Sequence, residues 1–259
     1  MRPIAELDRS TARRLLGVFC DIDDTLTLGG HLVPEAYAAL CAAVAAGLRV
    51  VPVTGRPLGW AEVLAAITPV AAVIGEGGAA AALGQGEWLW WDDAAERTRQ
   101  AERLEALRAA VAERLPWARL ARDQGLRRVD VAYDIGEHER VPPERVEELL
   151  SLLRHEGGHT LQSSIHAHAT FGDYDKARMA MRLSHELWGE DEAEVRERYL
   201  FVGDSPNDQA GFAFFTCSAG VANVARDVAR LEPPPRWVAE HEGGYGFAEI
   251  LGHLLTLRR

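Results

Sequence analysis

Two carboxylates one residue apart, Asp21 and Asp23, stand where a short apolar run ends. The run, residues 15–20, predicts a buried strand, and alternate residues leave a strand on the same side, so both acids are aimed together. One such carboxylate can attack phosphorus while the other gives a proton to the leaving oxygen. The spacing therefore indicates phosphoryl transfer through an aspartyl phosphate, although a solvated Asp-rich turn or a helix N-cap has the same composition.

A second apolar run, residues 48–53, ends in Thr54, Gly55 and Arg56. A hydroxyl and free backbone N–H groups at a strand end suit a phosphate oxygen, and Gly55 allows close approach. The same residues also fit a plain strand-to-helix turn with Thr54 as the N-cap.

Two more segments carry charge near predicted elements. Residues 199–202 predict a third strand, followed by Gly203-Asp204-Ser205-Pro206-Asn207-Asp208, whose oxygens suit a hydrated Mg²⁺ ion or form an Asx-rich turn. Lys176, at a predicted helix start, can offset the charge of a nucleophile and a phosphate or remain solvated. Ligands bind at the carboxyl edge of a parallel sheet, so we expect these residues to meet there.

The four segments, in this order, resemble the motifs of the haloacid dehalogenase (HAD) superfamily of magnesium-dependent phosphohydrolases. The matching residues are Asp21-x-Asp23-x-Thr25, Thr54, Lys176 and Gly203-Asp204-x-x-Asn207-Asp208. The family often has Gly at the position of Asp24, which lies beside the chemistry and puts none of these roles in doubt.

The resemblance implies a role for each matching residue. Asp21 is then the nucleophile and Asp23 the general acid and base, while Thr54 and Lys176 bind the transferring phosphoryl group. The implied ligands and supports of Mg²⁺ are Asp21, the backbone carbonyl of Asp23, Asp204, Asn207 and Asp208. Arg56 belongs to none of these motifs, but by its charge it would, with Mg²⁺ and Lys176, set the field at the phosphate.

The order of elements predicts an α/β fold: a doubly wound, Rossmann-like parallel sheet with an inserted α/β cap domain. Residues 1–91 and 169–259 form the predicted catalytic core. Residues 92–168 form the predicted cap, read as a helix at 93–115, a strand at 127–135, a helix at 142–155 and a strand at 160–171. This position resembles that of the type IIB cap, whose class includes Cof-like, sugar and mannosyl-3-phosphoglycerate phosphatases.

Alternation in the last predicted cap strand places four polar side chains on one face: Gln162, Ser164, His166 and His168. If this face overhangs the site, His166 and His168 are candidate ligands for sugar hydroxyls. A solvated outer sheet face explains the pattern equally well.

Net charge, cysteine content and the length of apolar stretches argue against several classes of protein. A net charge of −11 argues against a general nucleic-acid or anionic-membrane binder, and three cysteines form neither a metal-ligand spacing nor a disulfide framework. No apolar stretch is long enough for a bilayer and no signal sequence is recognisable at the start, so we expect a cytoplasmic protein. The oligomeric state cannot be predicted.

These observations predict a phosphoric monoester hydrolase, a Mg²⁺-dependent phosphatase acting on a small-molecule ester, in the first place a sugar phosphate. A phosphomannomutase-like phosphosugar mutase would use the same residues. A phospho-Asp signalling switch shares Asp, Thr, Lys and Mg²⁺, although the second acid and the large insert argue against it. A catalytically silent binding protein is disfavoured because no predicted catalytic position is lost.

Overall fold

In a computed structural model, which describes residues 1–163 and 165–259, a parallel sheet lies between two layers of helices. The helices are α1 (Arg9–Arg14), α2 (Pro34–Ala45), α3 (Leu58–Ile67), α4 (Ala94–Arg114), α5 (Pro143–His155), α6 (Lys176–Trp188), α7 (Glu192–Arg198), α8 (Gln209–Phe214) and α9 (Gly243–Arg258). The strands are β1 (Arg2–Pro3), β2 (Gly17–Cys20), β3 (Thr27–Leu28), β4 (His31–Leu32), β5 (Arg49–Pro52), β6 (Val73–Gly75), β7 (Ala80–Gly84), β8 (Glu87–Trp90), β9 (Asp130–Asp134), β10 (His159–Gln162), β11 (His166–Thr170), β12 (Tyr199–Gly203), β13 (Cys217–Gly220) and β14 (Trp237–Val238).

The central sheet has the strand order β1-β14-β13-β12-β2-β5, and every neighbouring pair is parallel. Successive side chains of β2 enter different layers, because Val18 packs with α2 and α9 while Phe19 packs with α6 and α8. Helices therefore cover both faces. The predicted doubly wound α/β fold is confirmed.

Local sequence signals set both ends of α6, the helix that carries Lys176. Asp175 is the N-cap of α6, and its carboxylate accepts the backbone N–H of Arg178 at 2.8 Å. This cap makes Lys176 the first residue of α6. At the other end, Gly189 takes the left-handed conformation, φ 70°, that ends many helices.

A second, antiparallel sheet is built from β10, β11 and β9 in that order. Its face carrying Val131 and Ala167 packs against apolar residues of α4 and α5, such as Leu107 and Leu149. The opposite face carries Asp130, which is paired in register with Thr170 at one end of the β9–β11 ladder. The apolar residues of this region form a core of their own. The division of the chain at 91/92 and 168/169 stays a prediction.

The prediction of one cap strand over residues 160–171 is wrong. The segment folds as two strands, β10 and β11, that pair antiparallel. Gln162 is paired with Ala167, on the face opposite His166 and His168, so the predicted shared face holds for the two histidines and not for Gln162. Ser164 lies outside the described residues.

None of the helices in the described part of the chain has the length and apolar character needed to cross a bilayer.

Candidate active site

The residues predicted for catalysis and metal binding lie close together at the carboxyl edge of the central sheet. β12 and β5 flank β2. Asp21 follows β2 directly, Asp204 follows β12 directly, and Thr54 comes two residues after β5. Parallel strands end at the same edge, so three of the four motifs meet there.

Lys176 reaches this edge from the first turn of α6. Its Nζ donates to Asp21 Oδ1 at 2.6 Å and to Asp208 Oδ1 at 2.7 Å. The side chain is only 5% exposed. Burial by itself lowers the pKa of Lys176, but Asp208 and Asp21 raise it above its usual value. The ammonium group therefore stays charged and joins the first, third and fourth motifs.

Asp21, Asp204 and Asp208 form an acidic cluster, in which one oxygen of each carboxylate lies within 4.8 Å of the others. Asp208 uses both of its oxygens, because Oδ1 accepts from Lys176 and Oδ2 accepts the backbone N–H of Asp204 at 2.9 Å. Asp204 Oδ2 accepts from Asn223 Nδ2 at 2.8 Å. Asp208 thus orients Lys176 and the turn after β12.

The acidic cluster holds more negative charge than Lys176 neutralises. Burial raises the pKa of Asp21 well above its usual value; Lys176 opposes this rise and Asp208 adds to it. Burial and Asp208 raise the pKa of Asp204 to about 7. This excess of carboxylates, two of the three buried, offers the oxygen ligands that a hard divalent cation takes, and Asp21 and Asp204 could hold it.

The turn after β12 depends on one glycine. A Cβ built on Gly203 would lie 2.4 Å from Asp208 Oδ2, so the carboxylate occupies the space of a side chain. Asn207 belongs to this Pro206–Asp208 turn and lines the cavity above the sheet edge. The predicted supporting residues are therefore close to the acidic cluster.

Asp23 and Arg56 form a bidentate ion pair beside the acidic cluster. Arg56 Nε and one terminal nitrogen donate to both oxygens of Asp23 at 2.9–3.1 Å, and the Asp23 side chain is 43% exposed. The backbone N–H of Arg56 donates to Thr54 Oγ1 at 2.9 Å. Residues 54–56, which we call the 54–56 loop, therefore connect Thr54 with Asp23, the predicted general acid and base.

Asp24 takes the left-handed conformation, φ 56°. This region favours glycine and tolerates Asp, and Asp24 Oδ1 accepts the backbone N–H of Gly29 at 2.9 Å. The conformation explains why glycine suits this position, and Asp24 is exposed and makes no ion pair with Lys176.

Four residues of the second sheet and the segment before it form what we call the cap wall: Arg127, Asp130, His166 and His168. Arg127 donates to Asp130 at 2.9 Å and to the Gly55 carbonyl at 3.1 Å. Asp130 Oδ2 lies 3.1 Å from His168 Nδ1. Burial alone would raise the pKa of Asp130, but Arg127 and His168 hold it below its usual value. The cap wall therefore has charges that are already paired.

The two predicted histidines are buried, rather than solvated. His166 Nε2 lies 3.1 Å from Glu137 Oε2, and the His166 and His168 rings meet edge to face at 5.7 Å. Burial lowers the pKa of His166, against the opposing effect of Glu137. Each ring is thus oriented by a carboxylate.

A cavity of about 660 Å³ separates the sheet edge from the cap wall. From the sheet edge it is lined by Asp21, Asp23, Gly55, Arg56, Lys176, Asp204 and Asn207, and from the other side by Arg127, His166 and His168. Thr54, which precedes the lining residue Gly55, is fully buried. The structure therefore brings the predicted catalytic, substrate-binding and metal residues around one cavity.

Two residues of the site have no counterpart among the sequence predictions. Glu76, which follows β6, binds backbone N–H groups on both sides of the cavity, and Asn223, three residues after β13, holds Asp204. Both are polar residues just past a strand's carboxyl end, the signal that identified Asp21. Composition held a further signal, because Lys176 is the only lysine among the 28 Lys and Arg residues of the chain.

Comparison with known proteins identifies the fold. No protein family model and no curated protein matches the chain. A protein from Thermoplasma acidophilum is 20% identical with a TM-score of 0.74, and the match covers 93% of this chain and 98% of that one. The sucrose-phosphatase of Synechocystis sp. PCC6803 is 16% identical with a TM-score of 0.67, covering 93% and 98%. A HAD subclass IIB sugar phosphatase is 15% identical with a TM-score of 0.65, covering 93% and 99%. The chain therefore has the fold of HAD-type phosphatases with a subclass IIB member among its structural neighbours, as its motifs predicted.

Proposed function

We propose that this protein is a Mg²⁺-dependent phosphatase that hydrolyses a phosphate monoester through an aspartyl phosphate on Asp21. The observation that carries the proposal is the position of Lys176, whose Nζ binds both Asp21 and Asp208 at the edge where the motif strands end. A buried ammonium group beside a carboxylate can hold a phosphate that the carboxylate attacks.

In the proposed reaction, an Asp21 oxygen attacks phosphorus and the bond to the leaving oxygen breaks. Asp23, when protonated, gives that oxygen a proton, and as a carboxylate it then takes a proton from the water that hydrolyses the aspartyl phosphate. Lys176, the Thr54 hydroxyl and the Gly55 N–H bind the phosphate oxygens, since the N–H groups of Thr54 and Arg56 are bonded to Ile74 and to Thr54 Oγ1. Arg56 must release Asp23 for the first proton transfer, because it now occupies both carboxylate oxygens.

The acidic cluster is the proposed Mg²⁺ site, with Asp21, Asp204 and the Asp23 carbonyl as ligands and Asn207 and Asp208 as supports. When bound, Mg²⁺ would neutralise the excess carboxylate charge and allow an anionic phosphate to approach an anionic nucleophile.

We propose a sugar phosphate as the substrate class. The cap wall presents two carboxylate-oriented histidines across a cavity of about 660 Å³, which is large enough for a sugar phosphate. The names of structural neighbours, a sucrose-phosphatase, a trehalose-6-phosphate phosphatase and a sugar phosphatase, support this class. A net charge of −11 supports a small-molecule partner over nucleic acid, and a cytoplasmic location remains part of the proposal.

The test is phosphate release from a panel of sugar phosphates that includes trehalose 6-phosphate, phosphoglycerate-linked sugars, nucleotides and an aryl phosphate, with and without Mg²⁺. We expect release that requires Mg²⁺ and is fastest with a sugar phosphate. Isomerised sugar phosphate without free phosphate would instead identify a mutase. Stable phosphorylation of Asp21 without turnover would identify a signalling switch.

Asp21→Asn is the decisive variant. We expect it to fold normally and to lower kcat by at least ~10⁴-fold, because an amide cannot act as the nucleophile. Asp24→Asn is the matched control in the same run, since Asp24 is exposed and Asn tolerates the same backbone conformation; its kcat should stay within about two-fold. Normal turnover by the Asp21 variant would exclude the mechanism.

A further inference from the structure

Glu76 is a buried acid whose side-chain oxygens accept only N–H donors, while burial and the nearby Asp130 carboxylate raise its pKa to about 8 against the effect of these donors. The residue is 3% exposed, and its two side-chain oxygens accept four backbone N–H groups. Oε1 accepts from Leu58 and Arg128, both at 2.9 Å, and Oε2 accepts from Val129 at 2.8 Å and Asp130 at 3.1 Å. Leu58 begins α3, next to the 54–56 loop, whereas the other three donors lead into β9. One side chain therefore joins the central-sheet side of the cavity to the cap-wall side.

The backbone of Glu76 is fixed to the 54–56 loop. Its N–H donates to the Arg56 carbonyl at 2.9 Å, and the next N–H, of Gly77, donates to the Thr54 carbonyl at 2.9 Å. Glu76 also takes the left-handed conformation, φ 43°, which is unfavourable for a residue with a long side chain. Such local strain persists where surrounding contacts impose it and aim the side chain.

A second contact, made by Arg127, joins the same two regions. Arg127, whose side chain is 1% exposed, donates to the Gly55 carbonyl at 3.1 Å and to Asp130. The segment 127–130 is therefore attached to the 54–56 loop twice, once through Glu76 and once through Arg127. Asp130, at the end of this segment, holds His168.

We propose that Glu76 is a positioning residue that fixes the cap wall relative to the 54–56 loop, so that a substrate touching the wall lies in register with Asp21. The inference rests on the proposed phosphatase function for its catalytic consequence, but its structural content is independent of activity. A small phosphate ester that does not reach the cap wall does not need this register.

Because the Glu76 oxygens accept only backbone N–H groups, Glu76→Gln tests these hydrogen bonds with little change of side-chain shape. A glutamine side chain has nearly the same shape, but its NH₂ group would face two backbone N–H groups whichever way the amide is turned. Two buried N–H groups then lose their acceptor. Glu62→Gln is the matched control, because Glu62 is also a carboxylate on the central-sheet side paired with Arg128, at 3.2 Å, but it is exposed.

Amide hydrogen exchange tests the structural part. In the full-length Glu76→Gln protein, either the Arg128 amide or the Val129 and Asp130 amides, depending on how the glutamine amide is turned, should exchange on the order of ten-fold faster than in the wild type. The buried Val51 amide should stay unchanged, and Glu62→Gln should match the wild type throughout. If Glu76→Gln does not fold, Glu76→Asp, which keeps the charge on a shorter side chain, should show the same local acceleration. Unchanged protection of the three amides would overturn the proposal.

Paired kinetics test the consequence. We expect Glu76→Gln to lower kcat/KM about ten-fold for the best sugar phosphate of the panel and less than about three-fold for acetyl phosphate. Equal losses for both substrates would overturn the positioning role, because they would show general damage to the site. Absence of phosphate release by the wild type would contradict the proposed function alone, and hydrogen exchange would still decide the role of Glu76.

Discussion

The acidic cluster and the cap wall face each other across one cavity but balance charge in different ways. In the acidic cluster three carboxylates, two of them buried, meet a single ammonium group, that of Lys176. In the cap wall, Asp130 is paired with Arg127, and each histidine contacts a carboxylate. The first side needs a ligand to balance its charge, whereas the second is already ordered without one. We infer that chemistry belongs to the acidic cluster and selection to the cap wall.

The largest effect should come from removing the one cation of the acidic cluster. Lys176→Met should lower kcat by more than ~10³-fold, since it deletes both the phosphate contact and the partner of Asp21. It should also lower the free energy of unfolding by about 3–5 kcal/mol, the usual effect of leaving a buried charge unpaired. Steady-state kinetics and urea unfolding measure the two effects.

Lys176→Arg is the matched variant, because it keeps the charge and changes the shape. The planar guanidinium cannot reproduce a point contact with two separate carboxylate oxygens. We expect activity to stay at least ~10²-fold below the wild type. Activity near the wild-type level would show that charge alone is required.

An intermediate effect is expected in the cap wall. Asp130→Asn should raise KM for sugar phosphates about ten-fold and leave kcat for acetyl phosphate nearly unchanged, because an amide cannot satisfy Arg127 and His168 as the carboxylate does. Asp123→Asn is the control, since Asp123 also pairs with Arg127, at 3.2 Å, but is not bonded to His168. Equal effects of the two variants would assign the loss to Arg127 instead of His168.

The smallest effect is a pH dependence of stability. The pKa of Asp204 is raised to about 7 in the metal-free protein, so folded chains bind more protons than unfolded ones between about pH 4 and 7. The stability contributed by the protonated acid is therefore lost as the pH rises through 7. Mg²⁺ requires the carboxylate form, so its stabilisation should be larger at pH 8 than at pH 5.5.

Thermal unfolding with and without Mg²⁺ measures this effect. At a Mg²⁺ concentration 100 times Kd, the gain is about 2.7 kcal/mol, or roughly 5–10 °C at pH 8. Asp204→Asn should remove most of the Mg²⁺ effect and its pH dependence. An equal Mg²⁺ shift at both pH values would contradict the assignment of Asp204 to the metal site.

The two sides of the cavity also differed in how far the sequence predicted them. Asp21 and Asp204 follow strands directly, and Thr54 comes two residues after β5. Parallel strands end at one edge, so local patterns were enough to bring the three together. His168 and Asp130 meet only through the pairing of β11 with β9, two strands far apart in the chain. The hairpin between β10 and β11 was missed because an almost uninterrupted strand pattern runs through residues 160–171, and the error placed Gln162 on the wrong face.

The role of Glu76 was beyond local prediction for a similar reason. Its four partners come from two segments, at Leu58 and at residues 128–130, and backbone N–H groups leave no trace in the sequence. Only the bare acid after β6 could have been noticed. Contacts made by backbone groups over long chain separations therefore mark the limit of motif-based reasoning here.

The solitary lysine has a practical consequence for chemical labelling. All the other residues counted among Lys and Arg are arginines, whose guanidinium groups are not amines. An acylating reagent that reacts with side-chain amines therefore has one target, Lys176. Buried and held as an ammonium ion, Lys176 should resist acylation while its contacts with Asp21 and Asp208 are in place. Any acyl label found on a lysine is then attached to the residue that contacts Asp21 and Asp208. The chain thereby carries a built-in reporter of how often Lys176 leaves these two contacts.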